Sequence, residues 1–173
     1  HNPDGGSYQK RSRASFDQKG STNPLFKGVN VITADVPPSV SFVEPGTQDL
    51  VLTFRNLHNW LGRDAMQAVM QEAYNALKDG GHFGVVEHRA PEGSSMEFMK
   101  KSGYVSQSIA IESALQVGFK LVATSEINAN PKDTADHPKG VWTLPPSFRL
   151  QNVDKSKYQD IGESDRMTLL FIK

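Results

Sequence analysis

Asp49-Leu50-Val51-Leu52-Thr53-Phe54-Arg55-Asn56-Leu57-His58-Asn59-Trp60 decides the fold, because a run of strand-forming residues gives way abruptly to polar and aromatic ones. A near-continuous apolar run suits a strand covered on both faces, as in parallel α/β sheets. Ligands of such sheets bind beyond the carboxyl ends of the strands. Arg55, Asn56, His58, Asn59 and Trp60 therefore stand where a substrate or cofactor is expected, offering donors, a titratable ring and a stacking face.

Downstream, Met66, Val69, Met70, Ala73 and Leu77 follow the spacing of a helix face, with Asp64 placed to cap the helix and Gly80-Gly81 to stop it. His82 to His88 reads as the next strand and again ends in polar residues, Glu87, His88 and Arg89. A helix joining two such strands demands a right-handed crossover and a parallel pair, so both chemical ends point to one edge. Met96 to Gly103 reads as the start of a flap, Ser106 to Val117 as a helix and Phe119 to Thr124 as a strand. Residues 127–165 show no strong period and are broken by Pro131, Pro138, Pro145 and Pro146, the pattern of a lid or binding insertion. Met167 to Ile172 is a buried strand by composition.

Upstream, residues 1–6 have turn chemistry, and Ser7 to about Lys19 reads as a basic surface helix. Val29 to Thr33 is a β-branched run expected to be a strand, with Asp35 and Pro37-Pro38 ending it. A length of 173 residues suits one domain over 1–173. Nineteen basic residues balance nineteen acidic ones, so a small-molecule ligand is expected and neither nucleic acid nor membrane is. The absence of cysteine excludes disulfides, thiolate metal sites and cysteine nucleophiles. A chain opening at His1, without initiator methionine or signal segment, is expected to be a processed or incomplete product.

The element order resembles the carboxyl-terminal two thirds of a class I S-adenosylmethionine-dependent methyltransferase. Asp49 to Trp60 is similar to that superfamily's fourth-strand motif, Ala76-Leu77-Lys78-Asp79-Gly80-Gly81 to the turn before strand five, and Gly118-Phe119 to the start of strand six. Thr53 to Trp60, Val85 to Arg89, Glu126 to Asp133 and Gly162 to Met167 resemble a bacterial group of predicted methyltransferases, many bearing a secretion signal. The resemblance implies a Rossmann-like, mostly parallel sheet whose antiparallel last strand, Met167 to Ile172, lies beside Val85. It also implies S-adenosylmethionine as cofactor, a periplasmic location with a cytoplasmic one as the alternative, and Asp35, ending strand three, as a contact to the adenine amine. The glycine-rich turn after strand one and the acid ending strand two would both precede His1, so the first strands are expected to be lacking. The edge at residues 50–54 is then bare, to be covered by a missing segment or by a second copy of the chain.

Within that frame Asp35, Arg55 and Asn56 are the cofactor candidates. His58, His88 and Glu87 are the catalytic ones, since an imidazole can remove an acceptor proton near neutral pH. Asn59, Trp60, Arg89, Asn128, Asn130 and Asp133 are the substrate contacts, with Arg55 and Arg89 able to clamp a carboxylate and so to favour a small polar or carboxylated acceptor. Glu87, His58 and His88 are suitable metal ligands, but their spacing matches no compact motif and no metal site is expected. The alternatives are a non-catalytic ligand-binding or scaffold protein of this fold and, more weakly, a hydrolase using Glu87 and His88.

Overall fold

A computed structural model describes residues 6–33 and 43–173. The chain divides into two compact units, residues 1–43 and 44–173. In the first, α1 (Ser7–Thr22) buries no side chain and a short 3-10 turn, Pro24–Phe26, follows it, with Phe26 edge-on to Phe16. Val29 to Thr33 joins no sheet, and Val29 and Ile32 are about half exposed. β-branched composition supplies no strand where no ladder partner is present. Asp35 lies outside the described residues.

In the second unit the elements are β1 (Gln48–Phe54), α2 (Leu57–Leu61), α3 (Met66–Ala76), β2 (Leu77–Ala90), α4 (Met96–Ser102), β3 (Val105–Ser106), α5 (Gln107–Gln116), β4 (Lys120–Ser125), β5 (Pro138–Val141), α6 (Lys155–Ile161) and β6 (Arg166–Ile172). The sheet order is β1-β2-β6-β4, with β3 pairing β2. β1 and β2 are parallel, and β6 runs antiparallel between β2 and β4, with Val85 opposite Leu169. This is the mixed sheet expected from the sequence.

Burial follows the pleat. Phe83, Val85 and Glu87 alternate along β2 as buried side chains, and Met167, Leu169 and Phe171 do so along β6. Phe83 stacks on Phe119 and lies 6.1 Å from Phe171, while Met66, Val69, Met70, Ala73 and Leu77 are all buried as the helical spacing predicts.

Several local expectations are corrected. Asp64 does not cap α3: it sits at φ 54° and pairs with Lys100, and Ala65 precedes the helix instead. α3 ends at Ala76 rather than at the glycines, because Leu77 pairs with Gln48 and begins β2. Met96 to Gly103 is a helix and not a flap, capped by the Ser95 hydroxyl and closed by Gly103 at φ 77°. β1 is not covered on both faces: Leu50, Leu52 and Phe54 are each more than half exposed, and β2 is its one strand neighbour among the described residues.

Candidate active site

β1 and β2 end side by side. Thr53 and Phe54 pair with Val85 and Val86, and the Arg55 amide extends the ladder to the Val86 carbonyl at 2.7 Å. Arg55 then enters the left-handed region at φ 57°, a strained conformation for a residue with a side chain, and the chain turns into α2. That kink carries His58 back over the end of β2, where Glu87 is the last residue of the buried series.

Glu87 is fully buried and accepts three hydrogen bonds. The His58 and His88 amides donate to it at 3.2 and 2.8 Å, and His58 Nδ1 lies 3.0 Å from its Oε1. A carboxylate only accepts, so the His58 proton belongs on Nδ1 and the Nε2 lone pair is left available. His88 Nδ1 lies 2.5 Å from the Ser164 hydroxyl. The two imidazoles are 5.4 Å apart, with Trp142 edge-on to His58 at 5.9 Å and Tyr104 edge-on to His88 at 6.1 Å. His58, Glu87 and His88 each offer a ligand atom within 4.8 Å of the others. The sequence named these three residues together without a compact spacing, and the parallel pairing of β1 and β2 is what joins them in space.

The two histidines are not equivalent. Burial, then the charges of His58, Arg55 and Arg166, lowers the His88 pKa to about 3, which makes it a poor proton acceptor. His58 is the one of the two whose ring is held by a carboxylate.

The remaining candidates separate into two groups. Arg55, Asn56 and Asn59 are exposed, Trp60 packs partly against the core, and Arg55 makes no hydrogen bond or ion pair with another described side chain. Arg89, by contrast, is committed internally: it grips Asp165 at 2.8 and 3.0 Å and Glu126 at 2.9 and 2.7 Å. Those carboxylates raise its pKa further, and the hydrogen bonds from Arg89 lower that of Glu126. The clamp expected from Arg55 and Arg89 is therefore not assembled. Asn128 donates to Thr168, and Asn130 donates through its side chain to the carbonyls of Ile161 and Glu163. The Asp133 side chain is fully buried, and its carboxylate accepts from Tyr104, His137, Ala135 and Asp165. Burial and Asp133 raise the Tyr104 pKa. Asn128 ties the 127–165 insertion to β6 and Asp133 ties it to Tyr104, whereas the Asn130 side chain bonds within it.

Sequence reasoning missed Ser164, Arg166, Tyr104 and Trp142 as neighbours of the histidines. Arg166 stands opposite His88 in the β2–β6 ladder, binds Glu163 through one end and leaves its buried Nε without a partner. The signal was present: Ser164 and Arg166 lie in the Gly162 to Met167 string, one strand away from His88.

No protein-family model matches the chain, and no curated protein matches it in sequence. Solved structures do match it in fold. The [4+2]-cyclase SpnF aligns at a TM-score of 0.58 and 16% identity over 92% of this chain and 60% of its own. A proposed sarcosine dimethylglycine methyltransferase from Galdieria sulphuraria aligns at 0.54 and 16% over 95% and 64%. An S-adenosylmethionine-dependent methyltransferase from Mesorhizobium loti aligns at 0.47 and 10% over 86% and 74%. The chain thus has the mixed, Rossmann-like fold found in methyltransferases, and it spans less than two thirds of the first two proteins. One fold here carries a cyclase and a methyltransferase, so the reaction has to be argued from the site.

Proposed function

We propose that the protein takes part in S-adenosylmethionine-dependent methyl transfer to a small polar or carboxylated acceptor, with His58 as general base. The observation that carries this reading is the buried Glu87–His58 contact at the carboxyl ends of two parallel strands. Glu87 fixes the ring and its tautomer, so that Nε2 keeps a lone pair for the acceptor proton. Trp142 and Tyr104 wall the imidazoles with apolar surface, and excluding water favours transfer to the acceptor over side reactions. When bound, the cofactor's sulfonium supplies the methyl group.

The residues suited to that cofactor are Arg55 and Asn56, exposed where β1 ends, with donors that no other described side chain uses. Arg55 also offers a cation to an acceptor carboxylate. The α/β architecture places ligands at this same edge.

The test is calorimetry of S-adenosylhomocysteine with the protein as its gene encodes it, followed by a panel of amine and carboxylate acceptors. Binding in the micromolar range and turnover that falls about 10²-fold or more in His58→Ala support the reading. No binding at millimolar cofactor would leave a non-catalytic protein of this fold.

A further inference from the structure

We propose that His58, Glu87 and His88 together bind one divalent first-row transition cation of zinc-like preference. Each of the three offers a ligand atom within 4.8 Å of the other two. Tetrahedral zinc sites, with bond lengths of about 2.0–2.2 Å, hold their ligand atoms roughly 3.3–3.6 Å apart. His58 Nδ1 and Glu87 Oε1 already stand at 3.0 Å, and the ligand atom of His88 lies within 4.8 Å of both, so closure is left to His88.

The surroundings are organised as the outer shell of a metal site is. Two backbone amides, those of His58 and His88, pin the Glu87 carboxylate in place, so it does not swing away from an arriving cation. The Ser164 hydroxyl holds one His88 nitrogen and leaves the other for coordination. Trp142 and Tyr104 shield the pair from solvent. The cation takes the place of the proton between His58 and Glu87, and the His58 ring adopts the tautomer protonated at Nε2. Two imidazoles and one carboxylate suit zinc or iron(II), whereas magnesium and calcium select oxygen ligands.

Arg55 and Arg166 bring positive charge to His88 and oppose a cation there, so Glu87 is the anion that has to balance it. Glu87 offsets one of the two positive charges, and nearby Arg166 is paired with Glu163. With Nδ1 on the cation and the proton on Nε2, His58 has no lone pair for an acceptor proton, so the metal-bound and base-competent states exclude one another. The proposal is tested separately from methyl transfer, because metal binding is read without cofactor or acceptor.

Chelator-treated protein is incubated with zinc, desalted and assayed for metal content, and zinc affinity is measured by calorimetry. One zinc per chain is expected, together with visible absorption typical of four-coordinate cobalt on substitution. His58→Ala and Glu87→Gln should each weaken zinc binding at least about tenfold and abolish the cobalt bands. His82→Ala, which alters a histidine of β2 outside the cluster, should retain both signals. His88→Asn, checked by near-ultraviolet dichroism, gives a third reading should either of the first variants fail to fold. Wild-type protein that retains no zinc, or zinc binding undiminished in the folded cluster variants, overturns the proposal.

Discussion

Two polar clusters in residues 44–173 differ in one respect. Around Asp133, every acceptor is matched: Tyr104, His137, Ala135 and Asp165 converge on one buried carboxylate, and Asp165 in turn holds Arg89. Around Glu87, the carboxylate is equally buried but its partners are two histidines, each with one ring nitrogen held and the other left over. The first network is closed and the second is open. A closed network fixes the chain, because any buried group left unmatched costs free energy. An open one keeps lone pairs for something other than the fold.

The comparison breaks most sharply at Asp133. Replacing it with alanine strands Tyr104, His137 and two amides in the interior, and a loss of about 3–5 kcal/mol is expected in urea unfolding. Asp133→Asn keeps the shape and removes the charge, and it should cost less. Equal stability of Asp133→Ala and wild type would mean that the network is not closed.

Glu87→Gln tests the open cluster in the opposite sense. The amide fills the same space, so the expected stability loss is only about 1–2 kcal/mol. Methyl transfer, in contrast, should fall about 10²-fold or more in kcat/KM, because the amide can present its NH₂ to His58 and select the wrong tautomer. A variant that loses stability and activity in proportion would place Glu87 with Asp133 as a structural group.

Arg89→Lys is a smaller perturbation of the closed side. The planar fork reaches Asp165 and Glu126 at once, and an ammonium cannot reproduce both pairs. The network is part exposed and solvent screens it, so about 1 kcal/mol is expected in chemical unfolding, with cofactor affinity unchanged.

Most of the framework was legible because period and composition report burial directly. The alternation of Phe83, Val85 and Glu87, the spacing of Met66 to Ala73 and the position of β6 beside Val85 all follow from the sequence or from the resemblance it carries. Val29 to Thr33 and the Met96 segment misled for a physical reason: propensity describes a residue's preference, whereas a ladder partner or a cap decides the outcome. The site was legible by residue type and not by assignment. His58, Glu87 and His88 were named from two strand ends, but only pairing in space shows which nitrogen meets which carboxylate. Arg89 was assigned to substrate because its partners, Asp165 and Glu126, lie 76 and 37 residues away in the chain.

Glu126 gives the finest measure of how far the closed network reaches toward solvent. Its carboxylate is exposed, yet hydrogen bonds from Arg89 hold its pKa below the ordinary value. A depressed folded-state pKa means that the bridge stabilises the protein above the ordinary carboxylate range. That contribution is lost as pH falls through the unfolded-state value toward the lower folded one. The side-chain carboxyl resonance of Glu126 should therefore titrate below the ordinary range, and Arg89→Lys should move the midpoint upward. Added salt should shift it the same way, since an exposed pair is screened within about 10 Å at 0.1 M. A midpoint at the ordinary value in the wild type would place the boundary of the closed network at Asp165 and leave Arg89 with a guanidinium edge directed to solvent.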